Sequence, residues 1–167
     1  MSGSVWLAGA GVLCLLLGGC GYGQRDLYDP NIRTVSVPIF KNKTFQRDVE
    51  FMLTEALKKQ IESRTPYKVT ASGSADTILH GTVVGVRTRG LSRDFDSGLV
   101  QEAELLVTVS IEWKDLRDGK TLRKRQSVTG SGTYVPTRGV GEPVEKAYHQ
   151  AIEQLSWQIL AAMRRDW

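Results

Sequence analysis

Three hydrophobic patterns follow one another along the chain. The first is an uninterrupted apolar run from Val5 to Leu17. Beyond it, apolar residues recur with a period of about two in some segments, which predicts strands, and with a period of about 3.6 in others, which predicts amphipathic helices. The chain therefore divides into an apolar leader and a mixed domain of strands and helices.

The first half of the domain is predicted to run from a strand into a helix. The strand covers Ile32–Phe40, where Pro38 favours an edge position or the strand's last stretch. Lys41–Lys43 is predicted to turn the chain. The helical period then covers Asp48–Ser63 and stops before Pro66, because the residue preceding a proline resists helical geometry.

Two strands are predicted after this helix, a short one over Tyr67–Thr70 and a longer one over Thr77–Thr88. Gly81 and Gly85 interrupt the longer strand, and we expect the backbone of a helix to approach closely there. Arg89–Gly98 is predicted to be a polar loop.

The clearest alternation of the chain runs from Glu102 to Trp113. One face of this predicted strand is apolar, and the other is polar apart from Leu106. Asp118 and Gly119 then predict a hairpin turn, and Thr121–Val135 is the returning strand. The polar face is expected to carry Glu102, Glu104, Thr108, Ser110 and Glu112.

The chain ends in a second predicted helix that opens at Pro143, since proline suits the first helical position. The order of elements indicates an α+β fold. We expect a two-layer domain, with a mixed or antiparallel sheet of about four strands and two helices packed on one face. Residues 32–167 are predicted to form this single domain, because the length is too short for two comfortable cores.

The apolar leader ends at Gly18, Gly19 and Cys20, which is typical of a bacterial lipoprotein signal. A run of this length suits an export signal and is too short for a membrane span of about 20 residues. A helix buried in a protein core would show a polar stripe, which the leader lacks. We expect residues 1–19 to be a signal peptide, Cys20 to be lipidated and residues 20–31 to be an unpacked tether.

Cysteine content and charge narrow the possible functions. Cys14 leaves with the signal and Cys20 carries lipid, so no thiol remains for a disulfide, a zinc site or a nucleophile. The net charge of +4 fits contact with anionic lipid or glycolipid phosphate, and it fits an ordinary solvated surface about as well. The extracytoplasmic compartment excludes nucleic acid as a partner.

Several short motifs spread over the mature chain occur together in one known family. They are Cys20-Gly21-Tyr22, Val35-x-Val37-Pro38-Ile39-Phe40-x-Asn42-x-Thr44, Ala75-Asp76 before a strand and Asp118-Gly119-Lys120 after one. With these motifs the chain resembles the LptE family of lipopolysaccharide-assembly lipoproteins.

The resemblance implies a binding and assembly role without enzymatic activity. Family members lie at the periplasmic face of the outer membrane, plug a large LptD-like β-barrel and help to deliver lipopolysaccharide. Gly21 also favours the outer membrane, because an aspartate at that position often retains lipoproteins at the inner membrane. The alternative is a lipoprotein subunit of another envelope secretion or cell-wall assembly that binds periplasmic partners.

Two basic clusters are candidates for binding lipopolysaccharide phosphate. Guanidinium groups pair well with phosphate oxygens, whereas charged residues at turns are ordinarily just solvated. The resemblance supplies no lipopolysaccharide contact that can be placed on these residues. The first cluster is Arg87, Arg89 and Arg93, and the second, around the hairpin turn, is Arg117, Lys120, Arg123, Lys124 and Arg125.

No pattern predicts a catalytic residue, a metal site or a cofactor. His80 and His149 have no motif partner at usable spacing, which makes an envelope hydrolase the weakest alternative. Asp94–Gly98 contains a D-x-D sequence but lacks the further carboxylates of a calcium loop.

The tryptophans are expected to play two different roles. Trp113 continues the apolar face of its strand and is predicted to lie in the core. Trp157 falls off the apolar stripe of the last helix and Trp167 ends the sequence. Both are candidates for contact with a partner or with the membrane interface.

Overall fold

The structure, a computed structural model, describes residues 27–93, 100–136 and 144–164. Neither of its α-helices is long and apolar enough to span a membrane, as far as the described residues extend. The elements in chain order are β1 (Thr34–Ser36), β2 (Lys41–Asn42), α1 (Val49–Arg64), β3 (Lys68–Val69), a 3₁₀ turn (Ser72–Ser74), β4 (Thr77–Arg93), β5 (Val100–Asp115), β6 (Thr121–Tyr134) and α2 (Val144–Ala162).

One mixed sheet contains all the described strands, in the spatial order β3-β1-β4-β5-β6, with β2 also paired to β4. β1 is parallel to β3 and β4, and β2 is parallel to β4. β4, β5 and β6 form an antiparallel meander. The α+β fold is confirmed, but the sheet has six strands where about four were expected. The short strand predicted over Tyr67–Thr70 joins the sheet as β3, and β2, which is too short to show an alternation, adds a further strand.

The predicted strand Ile32–Phe40 is shortened in the structure to β1, Thr34–Ser36. β1 ends before Pro38, whose missing N–H cannot contribute to a strand ladder. The turn predicted at Lys41–Lys43 is wrong, because β2 lies there and the Lys43 N–H donates to the Val83 carbonyl at 3.0 Å. Since β1 lies between β3 and β4, Pro38 marks the end of a strand and not the edge of the sheet.

β4 continues into the segment predicted as the polar loop Arg89–Gly98. Arg89 pairs with Glu104 and Gly90 pairs with Ala103 in the β4–β5 ladder. The loop prediction is wrong over this stretch, because pairing with a distant strand holds polar residues in an extended conformation. The remainder of the predicted loop lies outside the described residues.

Both helices pack on the same face of the sheet and enclose the main core. The apolar face of β5 points into this core as the alternation predicts, and the predicted burial of Trp113 is confirmed at 4% exposure. The side chains at its centre are Leu53, Leu57 and Ile61 of α1, Ala147, Ala151, Leu155 and Ile159 of α2, and Leu105, Val107, Val109 and Ile111 of β5.

Two glycines of β6 allow α2 to approach the sheet closely. A Cβ atom at Gly132 would overlap the Ala147 carbonyl oxygen and lie 2.8 Å from its Cα. A Cβ atom at Gly130 would overlap the Ala151 carbonyl oxygen and lie 2.7 Å from the Leu155 Cγ. The sheet therefore meets the helix backbone directly at these positions.

The close helix approach expected at Gly81 and Gly85 is wrong in its location. Gly81 accommodates the buried ring of Phe40, which would overlap any Cβ atom placed there. At Gly85 the nearest atom to such a Cβ would be the Thr108 Cβ, at an ordinary 4.0 Å. A glycine in a strand indicates a close neighbour, but the local sequence does not identify that neighbour.

The described end of the predicted tether, residues 27–31, packs against the domain. Tyr28 is only 3% exposed, and its ring meets the ring of Tyr67 edge-on with the centroids 5.4 Å apart. The Asp29 N–H donates to the Tyr67 hydroxyl at 3.1 Å. The expectation of an unpacked segment is therefore wrong for Leu27 and Tyr28, because their partners lie far along the chain.

Candidate functional site: the open face of the sheet

The face of β4, β5 and β6 that is turned away from the helices is predominantly polar, and we call it the open face. The residues predicted to form the polar face of β5 lie on it, half-buried or exposed between neighbouring strands. Its members include His80, Thr82, Arg87 and Arg89 of β4, Glu102, Glu104, Leu106, Thr108, Ser110 and Glu112 of β5, and Lys124, Thr129, Ser131 and Thr133 of β6.

Hydroxyl groups occupy the middle of the open face. Thr108 and Thr129 are directly cross-strand, and their hydroxyl oxygens are 3.0 Å apart, a distance at which either can donate. Ser131 lies opposite Leu106, the apolar exception that the sequence predicts. The middle of this surface can therefore exchange hydrogen bonds with a polar partner.

The first basic cluster lies on β4, toward the end reached by Arg93. The Arg89 Nε donates to the Glu104 Oε2 at 2.6 Å, so that the negative charge of the largely buried glutamate is paired. Arg87 lies opposite Leu106, is exposed, and has no ion-pair partner within the described part of the chain. For Arg93 only the strand position, opposite Val100, is described.

The second basic cluster surrounds the hairpin turn, which forms where Asp118 and Gly119 predict it. Gly119 adopts a positive φ of 72°. The Arg117 side chain is half exposed, but its guanidinium is bonded within the protein. It donates to Asp115 from Nε at 3.0 Å and from Nη2 at 2.5 Å, and its Nη1 donates to the Asn31 carbonyl at 2.9 Å. These bonds hold the pKa of the buried Asp115 carboxyl below its usual range and raise the pKa of Arg117.

Arg123 is also engaged within the protein, on the helix side of the sheet. Its Nε donates to the Ala162 carbonyl at 3.3 Å, and its Nη2 donates to the Arg164 carbonyl at 3.4 Å. These carbonyls lie at the C-terminal end of α2, where a positive charge is favourable. Arg123 therefore stabilises the last turn of the helix and does not contribute to the open face.

The other cations of this cluster remain accessible. The Lys124 Nζ lies on the open face, 3.7 Å from the Glu112 Oε1, and this glutamate also pairs with Lys114 at 3.1 Å. The hydrogen bond from Lys114, followed by the charge of both lysines, holds the pKa of Glu112 below its usual range. Lys120 and Arg125 are exposed.

The two basic clusters lie at opposite ends of the sheet. Arg87 is paired with Leu106, whereas the hairpin turn follows Asp115 on the same strand. At about 3.4 Å per residue, these positions on β5 are roughly 30 Å apart. The sequence correctly predicts that the second cluster gathers at one end of the sheet, but its side chains diverge and the clusters do not form one site.

Asp76, part of the Ala75-Asp76 motif, fixes the start of the central strands. Its Oδ2 accepts hydrogen bonds from the N–H groups of Arg33 and Thr34, each at 2.9 Å. Its own N–H donates to the Thr34 hydroxyl at 2.8 Å, and its carbonyl accepts from the Leu116 N–H at 2.8 Å. Asp76 thus joins the segment before β1, the start of β4 and the hairpin after β5.

We expect Asp76→Ala to lower the free energy of unfolding by roughly 1–2 kcal/mol at neutral pH, because two backbone N–H groups lose their acceptor. The backbone hydrogen bonds from Arg33 and then Thr34 lower the pKa of Asp76. This carboxylate therefore stabilises the fold above its unfolded pKa of about 3.9, and the stabilisation is lost as the pH falls through the lower folded pKa. Urea unfolding at pH 7 and at pH 2 tests both the size and the pH dependence of the effect.

The matched control is Asp76→Asn, which keeps an oxygen acceptor but cannot titrate. The difference in the free energy of unfolding between the wild type and Asp76→Asn should shrink as the pH falls from 5 to 2, because the carboxylate of the wild type becomes protonated over this range. A difference that stays constant over this range would contradict the assigned role of the carboxylate.

The remaining candidates from the sequence do not form a site in the described part of the chain. His80 and His149 are exposed, and the described residues contain no group of side chains suited to hold a metal ion. Trp157 is 38% exposed and lies beneath the guanidinium of Arg64, 3.9 Å from its carbon to the ring centroid. Asp94–Gly98 and Trp167 lie outside the described residues.

Several solved structures share this α+β fold with the chain. It is similar to lipoprotein B of Nitrosomonas europaea, with a TM-score of 0.58, 20% identity, and coverage of 87% of this chain and 89% of the other. It is also similar to rare lipoprotein B of Shewanella oneidensis, with a TM-score of 0.50, 16% identity, and coverage of 78% and 93%. PelC of Paraburkholderia phytofirmans, solved as a dodecamer, has a TM-score of 0.50, 18% identity, and coverage of 80% and 88%.

The family itself is defined by sequence. Residues 32–163 match the LptE family, which is described as lipopolysaccharide-assembly. Because the match covers most of the chain, the protein belongs to this family, and the resemblance found in the sequence is confirmed. No individual curated protein matches the sequence.

Proposed function

We propose that this protein is a lipid-anchored outer-membrane lipoprotein that plugs a large LptD-like β-barrel and assists lipopolysaccharide transport. Membership of the LptE family supports the role in lipopolysaccharide assembly. The observation that carries the plug is the open face, whose hydroxyl-rich middle suits the polar interior of a barrel. β5 has 16 residues and so extends for about 50 Å, longer than the hydrocarbon core of about 30 Å.

The lipid anchor belongs to this proposal. In it, acyl chains on Cys20 anchor the domain at the periplasmic face of the outer membrane, and Gly21 supports this location. Each buried CH₂ contributes about 0.8 kcal/mol, so several acyl chains hold the protein durably. Leu27 and Tyr28 pack on the domain, so the described structure begins seven residues after the anchoring cysteine.

Within this proposal, the cations that contact lipopolysaccharide are those that the fold leaves accessible. Arg117 and Arg123 are committed to protein acceptors. Arg89 is paired with Glu104 on the open face, and the side chain of Arg93 lies outside the described residues. The accessible cations are Arg87, Lys120, Lys124 and Arg125.

Arg87→Gln and Lys124→Gln should each weaken lipopolysaccharide binding by roughly fivefold, since an exposed ion pair contributes up to about 1 kcal/mol. Arg117→Gln should leave this binding unchanged and instead lower the midpoint of thermal unfolding, because the buried Asp115 loses its partner. Co-elution of lipopolysaccharide with the purified protein and a melting curve distinguish the two outcomes. Loss of binding in Arg117→Gln alone would overturn this assignment.

The proposed function is tested by purifying the tagged lipoprotein from native membranes in mild detergent and identifying the proteins bound to it. A large β-barrel at one copy per lipoprotein is the expected result. A ring of lipoprotein copies, as in the PelC dodecamer, or only periplasmic partners would contradict the plug. Either of these would support the alternative of a subunit of another envelope assembly.

A further inference from the structure

The outer edge of β6 is covered by side chains of α2. The Gln154 Oε1 accepts from the Ser131 N–H at 2.6 Å, and the Gln150 Oε1 accepts from the Thr133 N–H at 3.0 Å. The Gln158 Nε2 donates to the Thr129 carbonyl at 3.1 Å. These glutamines are four residues apart on one helix, and they satisfy the backbone groups that a neighbouring strand would otherwise pair with.

At the opposite edge of the meander, formed by β4, side chains of the described residues do not satisfy the backbone groups in this way. β4 pairs with β1 and β2 only as far as Val83, where the Lys43 N–H donates to the Val83 carbonyl. Beyond that point β4 continues to Arg93 while pairing with β5 on its other side. Among the described residues, no strand or side chain bonds to the backbone of this outer edge.

Six residues of this edge form a regular template for another strand. The β4–β5 register is shifted between Val83 and Gly85 and again after Gly90, but it is unbroken between these bulges. Alternate residues of Gly85–Gly90 therefore direct their N–H and C=O groups away from β5. Arg87–Gly90 is exposed, as are the flanking Val84 at 42% and Leu91 at 46%. We call Gly85–Gly90 the β4 edge.

The charge of the β4 edge identifies the kind of strand that it can accept. The segment Val84–Arg93 contains three arginines and no carboxylate. A second copy of the same edge would place arginine against arginine, and like charges directly opposite each other are destabilising. Glu104 pairs with Arg89 only, so Arg87 keeps an uncompensated positive charge among the described residues.

We propose that the β4 edge binds an extended acidic segment of a partner polypeptide as an added strand. Arg87 lies on the open face, so the segment should carry a carboxylate on that face, with carboxylates at alternate positions and β-branched residues between them. The backbone bonds supply affinity, and the uncompensated charge of Arg87 supplies register and specificity. This interaction does not depend on whether the partner is the proposed barrel.

The test uses the full chain in detergent and a short capped peptide in which glutamate and valine alternate. We expect the peptide to slow hydrogen exchange at least tenfold for the amides of the β4 edge that point away from β5, and to leave the β6 edge unchanged. A peptide of the same length with lysine in place of glutamate, and one methylated at alternate backbone nitrogens, should not bind. Protection elsewhere in the protein, or equal binding of the lysine peptide, would overturn the proposal.

A charge-reversal variant provides a second test of the proposal. Arg87→Glu should weaken binding of the glutamate peptide by at least tenfold and favour the lysine peptide, whereas Lys59→Glu, at an exposed position of α1, should change neither. The amides of the β4 edge that point away from β5 should exchange rapidly in the free protein at every concentration. Protection without peptide would overturn the proposal, because it would show that the edge is occupied by this chain itself or, if concentration-dependent, by a second copy.

Discussion

Replacing Gly132 by alanine should destabilise the protein by about 3 kcal/mol or more. The new methyl group would overlap the carbonyl oxygen of Ala147 and lie 2.8 Å from the Ala147 Cα. Overpacking of a core ordinarily costs about 1–3 kcal/mol where side chains can move aside. Here the obstacle is helix backbone, so α2 as a whole has to shift away from β6. Urea unfolding followed by circular dichroism gives the loss directly.

Gly130→Ala should behave in the same way, because its methyl group would overlap the Ala151 carbonyl oxygen. The matched control is Gly85→Ala, a glycine of the same sheet where the nearest atom to the methyl group lies 4.0 Å away. The control should leave stability unchanged within about 1 kcal/mol, the range of strand propensities. Equal effects in all three variants would show that loss of glycine, and not helix contact, causes the change.

Gly81→Ala should lower the free energy of unfolding by roughly 2–3 kcal/mol, because its methyl group occupies the position of the Phe40 ring. Phe40 is 3% exposed, and its N–H donates to the Thr54 hydroxyl at 3.1 Å. The ring therefore cannot leave its site without exposing apolar surface and straining the segment that joins β1 to β2. Thermal and urea unfolding measure the effect.

A second substitution isolates the cause of this effect. Phe40→Leu alone should also destabilise, since it leaves a cavity against Gly81. The two changes together should cost less than the sum of their separate effects, by at least about 1 kcal/mol, because the smaller side chain makes room for the methyl group. Strictly additive losses would show that the ring and the glycine do not interact.

The sequence predicted the elements with clear periodicity and the faces that they bury. The apolar face of β5 and the helix Asp48–Ser63, observed as Val49–Arg64, follow directly from local pattern. β2 and the end of β4 from Arg89 onward were missed, because polar residues there are held in strands by partners distant in sequence. The positions of the elements could be predicted, whereas the pairing of short strands could not.

One part of the candidate site could likewise be predicted from the sequence, and another part could not. The open face could be predicted, since alternation alone places Thr108 and Ser110 on the side opposite the core. The fate of the individual cations could not, because Arg117 binds the Asn31 carbonyl 86 residues away and Arg123 binds the end of α2. The local sequence looks the same around an arginine that is bonded within the protein as around an accessible arginine.

The position of β1 has a mechanical consequence. The chain enters the domain through Tyr28 and Asn31 and continues directly into β1, which lies between two parallel neighbours. A pull on the N-terminus along this strand loads its hydrogen bonds together in shear, whereas a pull on an edge strand would peel bonds one at a time. The domain can therefore bear tension from a tether at its N-terminus without unravelling from that end.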